Sequence, residues 1–246
     1  MRGPLPVNAP TARDAFQPKL IYLARRNPAL SRRDFVARWR QHGALGMSLP
    51  RWRNVARYVH CDVLYPPSPT PAIDASHDAI GIVWHRSPAA RAAHLADTGS
   101  RLQMEQDERE TFAQPIVETC VLTREHVLLA PPDPASAATF KLMRFLQVGA
   151  DPSTLAQITA SGDMASRHRA LAAAGAPVRG HLVDLPLPPE RGATWGLACA
   201  VIEELWFDDL ASATAAGRWF AAATRVPPIR AATMAILTNE VLLYSI

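Results

Sequence analysis

The sequence predicts an α+β fold made in two copies, and three observations predict it. Lys19-Leu20-Ile21-Tyr22-Leu23 returns 122 residues later as Lys141-Leu142-Met143-Arg144-Phe145. Ile82-Val83-Trp84-His85-Arg86-Ser87 returns at the same distance as Glu204-Leu205-Trp206-Phe207-Asp208-Asp209, and the stretch 121–129 is echoed by 236–243. Each copy also reads strand, helix, strand, strand, helix, strand. A period this long is domain-sized, and that order is the split βαβ arrangement of ferredoxin-like folds. The expected division is an N-terminal tail over 1–18, a first ferredoxin-like (βαββαβ) domain over 19–130, a Pro-rich linker over 131–138 and a second domain over 139–246. Two helices cover only one face of a four-stranded sheet, and the bare face needs a partner. The expected solution packs the two sheets together with helices outside, as an intramolecular dimeric α+β barrel. Two independent domains, each pairing with another chain, are the alternative.

The elements follow in order. Residues 19–24 form a short apolar run suited to a strand covered on both faces, and Asn27-Pro28 stops it. Ser31 is an N-cap for a helix from about 32 to 45, which Gly43 and Gly46 loosen and Leu49-Pro50 ends. Residues 55–64 alternate as a strand. The segment 65–76, with four prolines, is a loop. A strand follows at 79–85. Ser87-Pro88 then starts a second helix, with Ser as cap and Pro at its first position, and 101–110 continues as helix. The half closes on a β-rich segment over 116–129, interrupted at Thr123-Arg124-Glu125. The second pass predicts a strand at 140–148, a helix from Asp151-Pro152, a strand near 178–185, a strand at 197–207, a helix at 209–223 and a strand at 233–244.

Composition excludes several classes. Of 246 residues 48% are hydrophobic and 20% charged, ordinary for a globular protein. No run of about 18 apolar residues suggests a membrane span, and the N-terminus lacks the apolar core of a secretory signal. Cys61, Cys120 and Cys199 are odd in number and unpaired by spacing, which suits a reducing cytoplasm and argues against disulfides or a thiolate metal site. The net charge of +4 is uneven: residues 1–130 carry +5 and 131–246 carry −1. Only two basic residues are Lys. The Arg pairs are short and interrupted, so a solvated surface is expected and not a nucleic-acid track. Neither GxGxxG nor GxxxxGK[ST] is present, nor HExxH, nor GxSxG, and the histidines lack zinc-ligand spacing. No cofactor and no metal are expected.

Residues 33–45, with Phe35, Trp39 and His42-Gly43, followed by Leu49-Pro50 and Arg57-Tyr58-Val59, resemble the EthD family. Asp78-Ala79-Ile80-Gly81-Ile82-Val83-Trp84 and Thr123-Arg124-Glu125-His126-Val127 are consistent with it. The resemblance covers roughly 19–130; the second copy keeps the fold order but has lost the helix motif. It implies a dimeric α+β barrel of the kind associated with ether degradation and with oxidative or dehydrative tailoring of aromatic polyketides. It carries no cofactor motif onto this chain. Related α+β barrels can hold haem through a single helix histidine, and only His42 could serve here.

Phe35, Trp39 and His42 fall on one helix face. An imidazole there is either a core histidine bonded to a carbonyl or an acid–base group near working pH; the family match favours the second. Tyr58 and His60 share one strand face, which looks either at the first helix and His42 or at the partner sheet. Facing the helix, they could polarise a carbonyl. His85, replaced by Phe207 in the second copy, joins Phe35, Trp39 and His60 as a candidate substrate-binding residue, with His42 and Tyr58 as candidate catalytic residues. Trp84 and Trp206 occur in both copies and read as packing. Asp107 and Glu110 could offer His42 a carboxylate, although a charge run of this kind reads as a solvated helix face. The expected function is a cofactor-independent enzyme, oxidoreductase- or dehydratase-related, acting on a small apolar or aromatic oxygenated metabolite. A non-catalytic binder of hydrophobic ligands beside an oxygenase is the alternative. An internal pseudo-dimer is expected, with a further homodimer open.

Overall fold

A computed structural model describes residues 16–65, 73–133, 140–146, 161–189, 195–222 and 233–246. The strands are β1 (Lys19–Ala24), β2 (Val55–Val63), β3 (Ala79–His85), β4 (Cys120–Leu129), β5 (Phe140–Leu146), β6 (Gly180–Pro186), β7 (Val201–Phe207) and β8 (Thr233–Ser245). The described helices are α1 (Arg32–Ser48), α2 (Pro88–Ala96), α3 (Thr98–Thr111), α4 (Ser161–Ala173) and α5 (Leu210–Ala222). All eight strands close into one antiparallel barrel in the order β1-β3-β2-β8-β5-β7-β6-β4. The fold is α+β.

The four open edges expected of separate sheets are all paired, in two seams. β2 runs antiparallel to β8, from Arg57 opposite Ser245 to Val63 opposite Thr238. β4 runs antiparallel to β6, with Glu125 opposite Asp184. Sheets merely laid face to face would leave four edges of unpaired N–H and C=O groups; closure removes them. One core therefore draws on both halves: Ile21, Val59, Ile80, Ile82 and Val121 pack with Met143, Phe145, Ile202 and Ile236. A second core, with Leu142, Leu171, Leu205, Phe207, Ala216 and Phe220, lies under the second-half helices.

Local signals act largely as read. Ser31 Oγ accepts from Asp34 N at 3.1 Å and caps α1; Ser87 Oγ accepts from Ala90 N at 3.1 Å and caps α2, with Pro88 in its first turn. α1 runs through Gly43 and Gly46 to Ser48, beyond the expected end. Those glycines are buried: a Cβ on Gly43 would sit 3.2 Å from the His60 ring, so Gly43 brings the helix close to the sheet, while Gly46 faces Trp52 and Met104. The expected break at 123–125 does not occur, because β4 passes straight through it, and 116–118 is a 3-10 turn. There Thr123 Oγ1 donates to Lys19 O at 3.0 Å and Glu125 faces inward to Lys19. The helix expected from Asp151, the tail over 1–15 and most of the linker lie outside the described residues.

The interior is not only apolar. Each strand contributes one residue to a belt of polar contacts across the barrel: Lys19, Arg57, Trp84, Glu125, Lys141, Asp184, Glu204 and Glu240. Lys19 Nζ reaches Glu125 at 2.8 Å, Asp184 at 3.1 Å and Glu204. Lys141 reaches Glu204 at 2.6 Å and Glu240 at 2.5 Å. Lys19 lies over Trp84 at 4.8 Å and Lys141 over Trp206 at 4.7 Å. The paired tryptophans thus pack, as read, but each against a buried ammonium.

Candidate functional site

α1 presents Phe35, Trp39, His42, Gly43 and Gly46 to the protein interior. Alternation along β2 sends Val59 and Cys61 into the barrel core and turns Tyr58 and His60 to the helix side. The orientation left open by the sequence is settled by contact: the Trp39 and His60 rings stack with centroids 3.6 Å apart and planes at 4°. Phe35 stacks on Trp39 at 5.9 Å.

Two hydrogen-bonded groups result. In the first, Arg40 Nη1 meets His60 Nδ1 at 2.6 Å. A guanidinium only donates, so Nδ1 accepts and Nε2 carries the hydrogen, donated to Tyr58 Oη at 2.6 Å. Tyr58 Oη lies 3.2 Å from Tyr22 Oη, which accepts from Trp39 Nε1 at 3.3 Å. Arg40 is held in turn by Asp62 at 2.5 Å. Burial, reinforced by the Arg40 charge, holds the His60 pKa well below the usual imidazole range. Burial also raises both phenols, Tyr22 to about 12. The group is neutral at His60 and protonated at both tyrosines.

In the second, His42 Nδ1 lies 2.6 Å from Asp107 Oδ2. Arg38 grips the same carboxylate, Nη2 to Oδ1 at 2.6 Å and Nη1 to Oδ2 at 3.2 Å. These bonds keep Asp107 ionised against partial burial, so His42 donates through Nδ1 and presents Nε2 as the basic nitrogen. Burial lowers the His42 pKa despite Asp107's opposite pull. Asp107, on the α3 face read as solvated, is thus the carboxylate partner of His42; Glu110 instead meets Arg38, at 3.3 Å. The spacing of the charge run could not separate these two, because which α3 face meets α1 is a tertiary fact.

Sequence reasoning also missed Tyr22, Arg38, Arg40 and Asp62. Tyr22 had one available signal: it pairs with Gly81 across β1 and β3. A Cβ on Gly81 would lie 2.0 Å from the Tyr22 ring, so the missing side chain makes room for the phenol. Gly81→Ala should therefore destabilise the fold by about 1–3 kcal/mol or more through overpacking, read by urea denaturation. Tyr22→Ala in the same chain should cost less than the sum of the two single changes, because the clash is removed with the ring.

His85 is not brought to this site. It faces His94 edge-on at 5.0 Å, near Arg91 at 3.5 Å, and its Nδ1 has no partner among the described residues. Nor is His42 on an open cavity wall: it is 2% exposed, with Phe112 edge-on at 5.0 Å. Haem on His42 does not fit these residues, since iron would bond the in-plane Nε2 lone pair and the ring that carries it is buried. Among the described residues no group of three or more His, Cys, Asp or Glu could hold a metal ion, and no helix is long and apolar enough to cross a membrane.

The positions of the first group recur in the second half with different chemistry. Arg144 opposite Glu203 stands where Tyr22 stands opposite Gly81, and His181 opposite Leu205 where Tyr58 stands opposite Val83. There Glu203 is clamped by Arg144 and by Arg167 at 2.7 Å, and His168 Nε2 lies 3.0 Å from His181 Nδ1.

The helix motif and the strand it packs against match the family model described as "EthD domain" over residues 27–116. That segment is similar to an EthD domain. It carries Phe35, Trp39, His42, Tyr58, His60 and Asp107 together. No curated protein sequence matches the chain significantly. Solved structures resemble it in fold at low identity. An anthrone oxidase-like protein aligns with TM-score 0.58 and 12% identity over 94% of this chain and 93% of that one. A candidate monooxygenase from Fusobacterium nucleatum aligns with TM-score 0.55 and 8% identity over 93% and 94%. A candidate chlorite dismutase aligns with TM-score 0.52 and 9% identity over 92% and 95%. The EthD segment thus sits in one half of a barrel that the full-length neighbours share.

Proposed function

We propose that the EthD-like segment is an acid–base centre acting, without a cofactor, on a small apolar or aromatic oxygenated metabolite. The observation that carries this is the 2.6 Å bond between His42 Nδ1 and the Arg38-clamped Asp107. It fixes the tautomer that leaves Nε2 basic, and burial keeps that nitrogen unprotonated at neutral pH. In this reading His42 takes a proton from a carbon or oxygen acid, and the phenol pair receives the developing oxyanion. Donor counting supports that role. Trp39 fills Tyr22, His60 fills Tyr58, and one phenol donates to the other; the remaining O–H has no acceptor among the described residues. Phe35 and Trp39 would supply apolar walls once α1 shifts to admit substrate, since these side chains and His42 are buried in the closed protein. An enolate or phenolate so formed is common to dehydrations and to direct reaction with dioxygen.

The barrel itself we read as an internal pseudo-dimer of two ferredoxin-like halves from a tandem duplication. Its halves have the parallel strand orders β4-β1-β3-β2 and β8-β5-β7-β6. Free thiols at Cys61, Cys120 and Cys199 support a reducing compartment.

The test is turnover of a panel of hydroxyarenes and aryl ketones, with anthrone as first probe, followed by product analysis and oxygen uptake. His42→Ala should abolish turnover, and Asp107→Asn should lower kcat by about 10²-fold or more. The acid limb of the wild-type profile should fall below the usual imidazole pKa of about 6.5, because burial lowers that of His42. Full activity in His42→Ala, with its thermal transition unchanged, would leave the ligand-binding alternative standing.

A further inference from the structure

The described residues leave an open cleft of about 400 Å³, lined by Phe16, Gln17, Arg57, Trp84, Arg124 and Glu125. It lies away from His42, on the other side of the sheet: Trp84 belongs to the barrel core, whereas Tyr58 and His60 face α1. We propose that this cleft is a second ligand site, for a small aromatic carboxylate.

Three observations carry the assignment. The size is that of small-molecule sites, and its walls combine two aromatic rings with two guanidinium groups. The charges, secondly, are unequally committed. Glu125 Oε2 is taken by Lys19 Nζ at 2.8 Å and Trp84 Nε1 at 3.2 Å. Arg57 pairs with Glu240 at 3.2 Å and lies over Trp84 at 4.7 Å. Arg124 meets the Phe16 ring at 4.2 Å and has no carboxylate partner among the described residues. One cation at an aromatic wall thus lacks a counter-anion among the described residues, and a carboxylate on a planar ring supplies both complements.

The third observation is an asymmetry between the halves. Arg57 stands opposite Trp84, and Gly180 stands opposite Trp206 at the matching position. A Cβ on Gly180 would lie 2.6 Å from Pro131 Cα and 3.0 Å from Pro132 Cδ. The linker passes against Gly180, beside Trp206, and leaves no room there for a side chain. At the first-half tryptophan the same place holds an arginine and opens into the cleft.

The test titrates 1-naphthoate into the full chain by calorimetry, with saturation-transfer NMR on the ligand. Binding with Kd of about 1 mM or tighter is expected for a ligand of this size. Arg124→Gln should weaken it about tenfold, the loss of one charge-assisted contact. The uncharged 1-naphthalenemethanol should bind at least as weakly as naphthoate binds that variant, and inorganic phosphate should not displace naphthoate. His42→Ala should bind naphthoate like the wild type, so this result stands or falls apart from the acid–base reading. No binding, equal affinity for the alcohol, an unchanged Arg124→Gln affinity or displacement by phosphate would each overturn the proposal.

Discussion

Lys19→Met should destabilise the barrel by about 3–5 kcal/mol, the usual cost of stranding buried charge by removing one partner. Lys19 is fully buried and stands between Glu125, Asp184 and Glu204. Burial opposes its charge, but the three acids outweigh that and raise its pKa. Removing the ammonium leaves them facing one another in a medium that screens poorly. The loss is a large share of a typical stability of about 5–15 kcal/mol. It should lower Tm by on the order of 10 °C in a chain of this size. Asp184→Asn provides the contrast. Burial raises the Asp184 pKa against the pull of Lys19, with Glu204 and Glu125 adding to the rise, so a neutral amide of the same shape disturbs the belt less than loss of Lys19. That variant should change stability by about 1 kcal/mol or less. Equal melting of Lys19→Met and wild type would show that the belt is not an ionic framework.

Stability should fall steeply as pH drops from about 6.5. Four buried histidines have native pKa values below the unfolded one: His85 at about 3, His94 at about 4, and His42 and His60 lowered, all chiefly by burial. The surrounding charges divide. Arg91 and Arg51 near His85 and His94, and Arg40 beside His60, push the same way, while Asp107 opposes at His42. Between the unfolded and folded values the unfolded chain binds more protons, so stability rises with pH there. The contribution is fully present above about 6.5 and is lost as pH falls toward about 4 and then about 3. Each histidine contributes up to about 1.4 kcal/mol per pH unit across its window. Asp62 and Glu108, raised by burial, bind protons in the native state and offset part of this. Thermal melts from pH 8 to 4 should show the fall, and His85→Phe, which installs the residue found at Phe207, should flatten it by one proton. A Tm constant from pH 7 to 4.5 would contradict the neutral burial of these rings.

How much was legible depends on how local each cause is. Ser31, Ser87-Pro88 and the alternation of β2 act within a few residues, and those elements stand close to where the pattern puts them. The break expected at Thr123-Arg124-Glu125 fails because a charged residue in a strand reads as an interruption until the opposite wall supplies Lys19. The triplet Phe35, Trp39 and His42 was visible because a helix repeats; Asp107 could be named only as one of two candidate carboxylates, and Tyr22 not at all, because both arrive from other elements. Gly81 could have pointed to Tyr22 only once β1 was known to pair with β3.

By itself, then, the chain's pattern determined where most of the strands and helices lie, and that one face of α1 gathers Phe35, Trp39 and His42. The tertiary structure alone decided that eight strands close edge to edge, that Lys19 and Lys141 meet carboxylates inside, and that His42 is held by Asp107 and Arg38. The reason is physical. Periodicity encodes which side of an element is buried, whereas the partner of a buried charge is chosen by whichever distant strand or helix closure brings within about 3 Å.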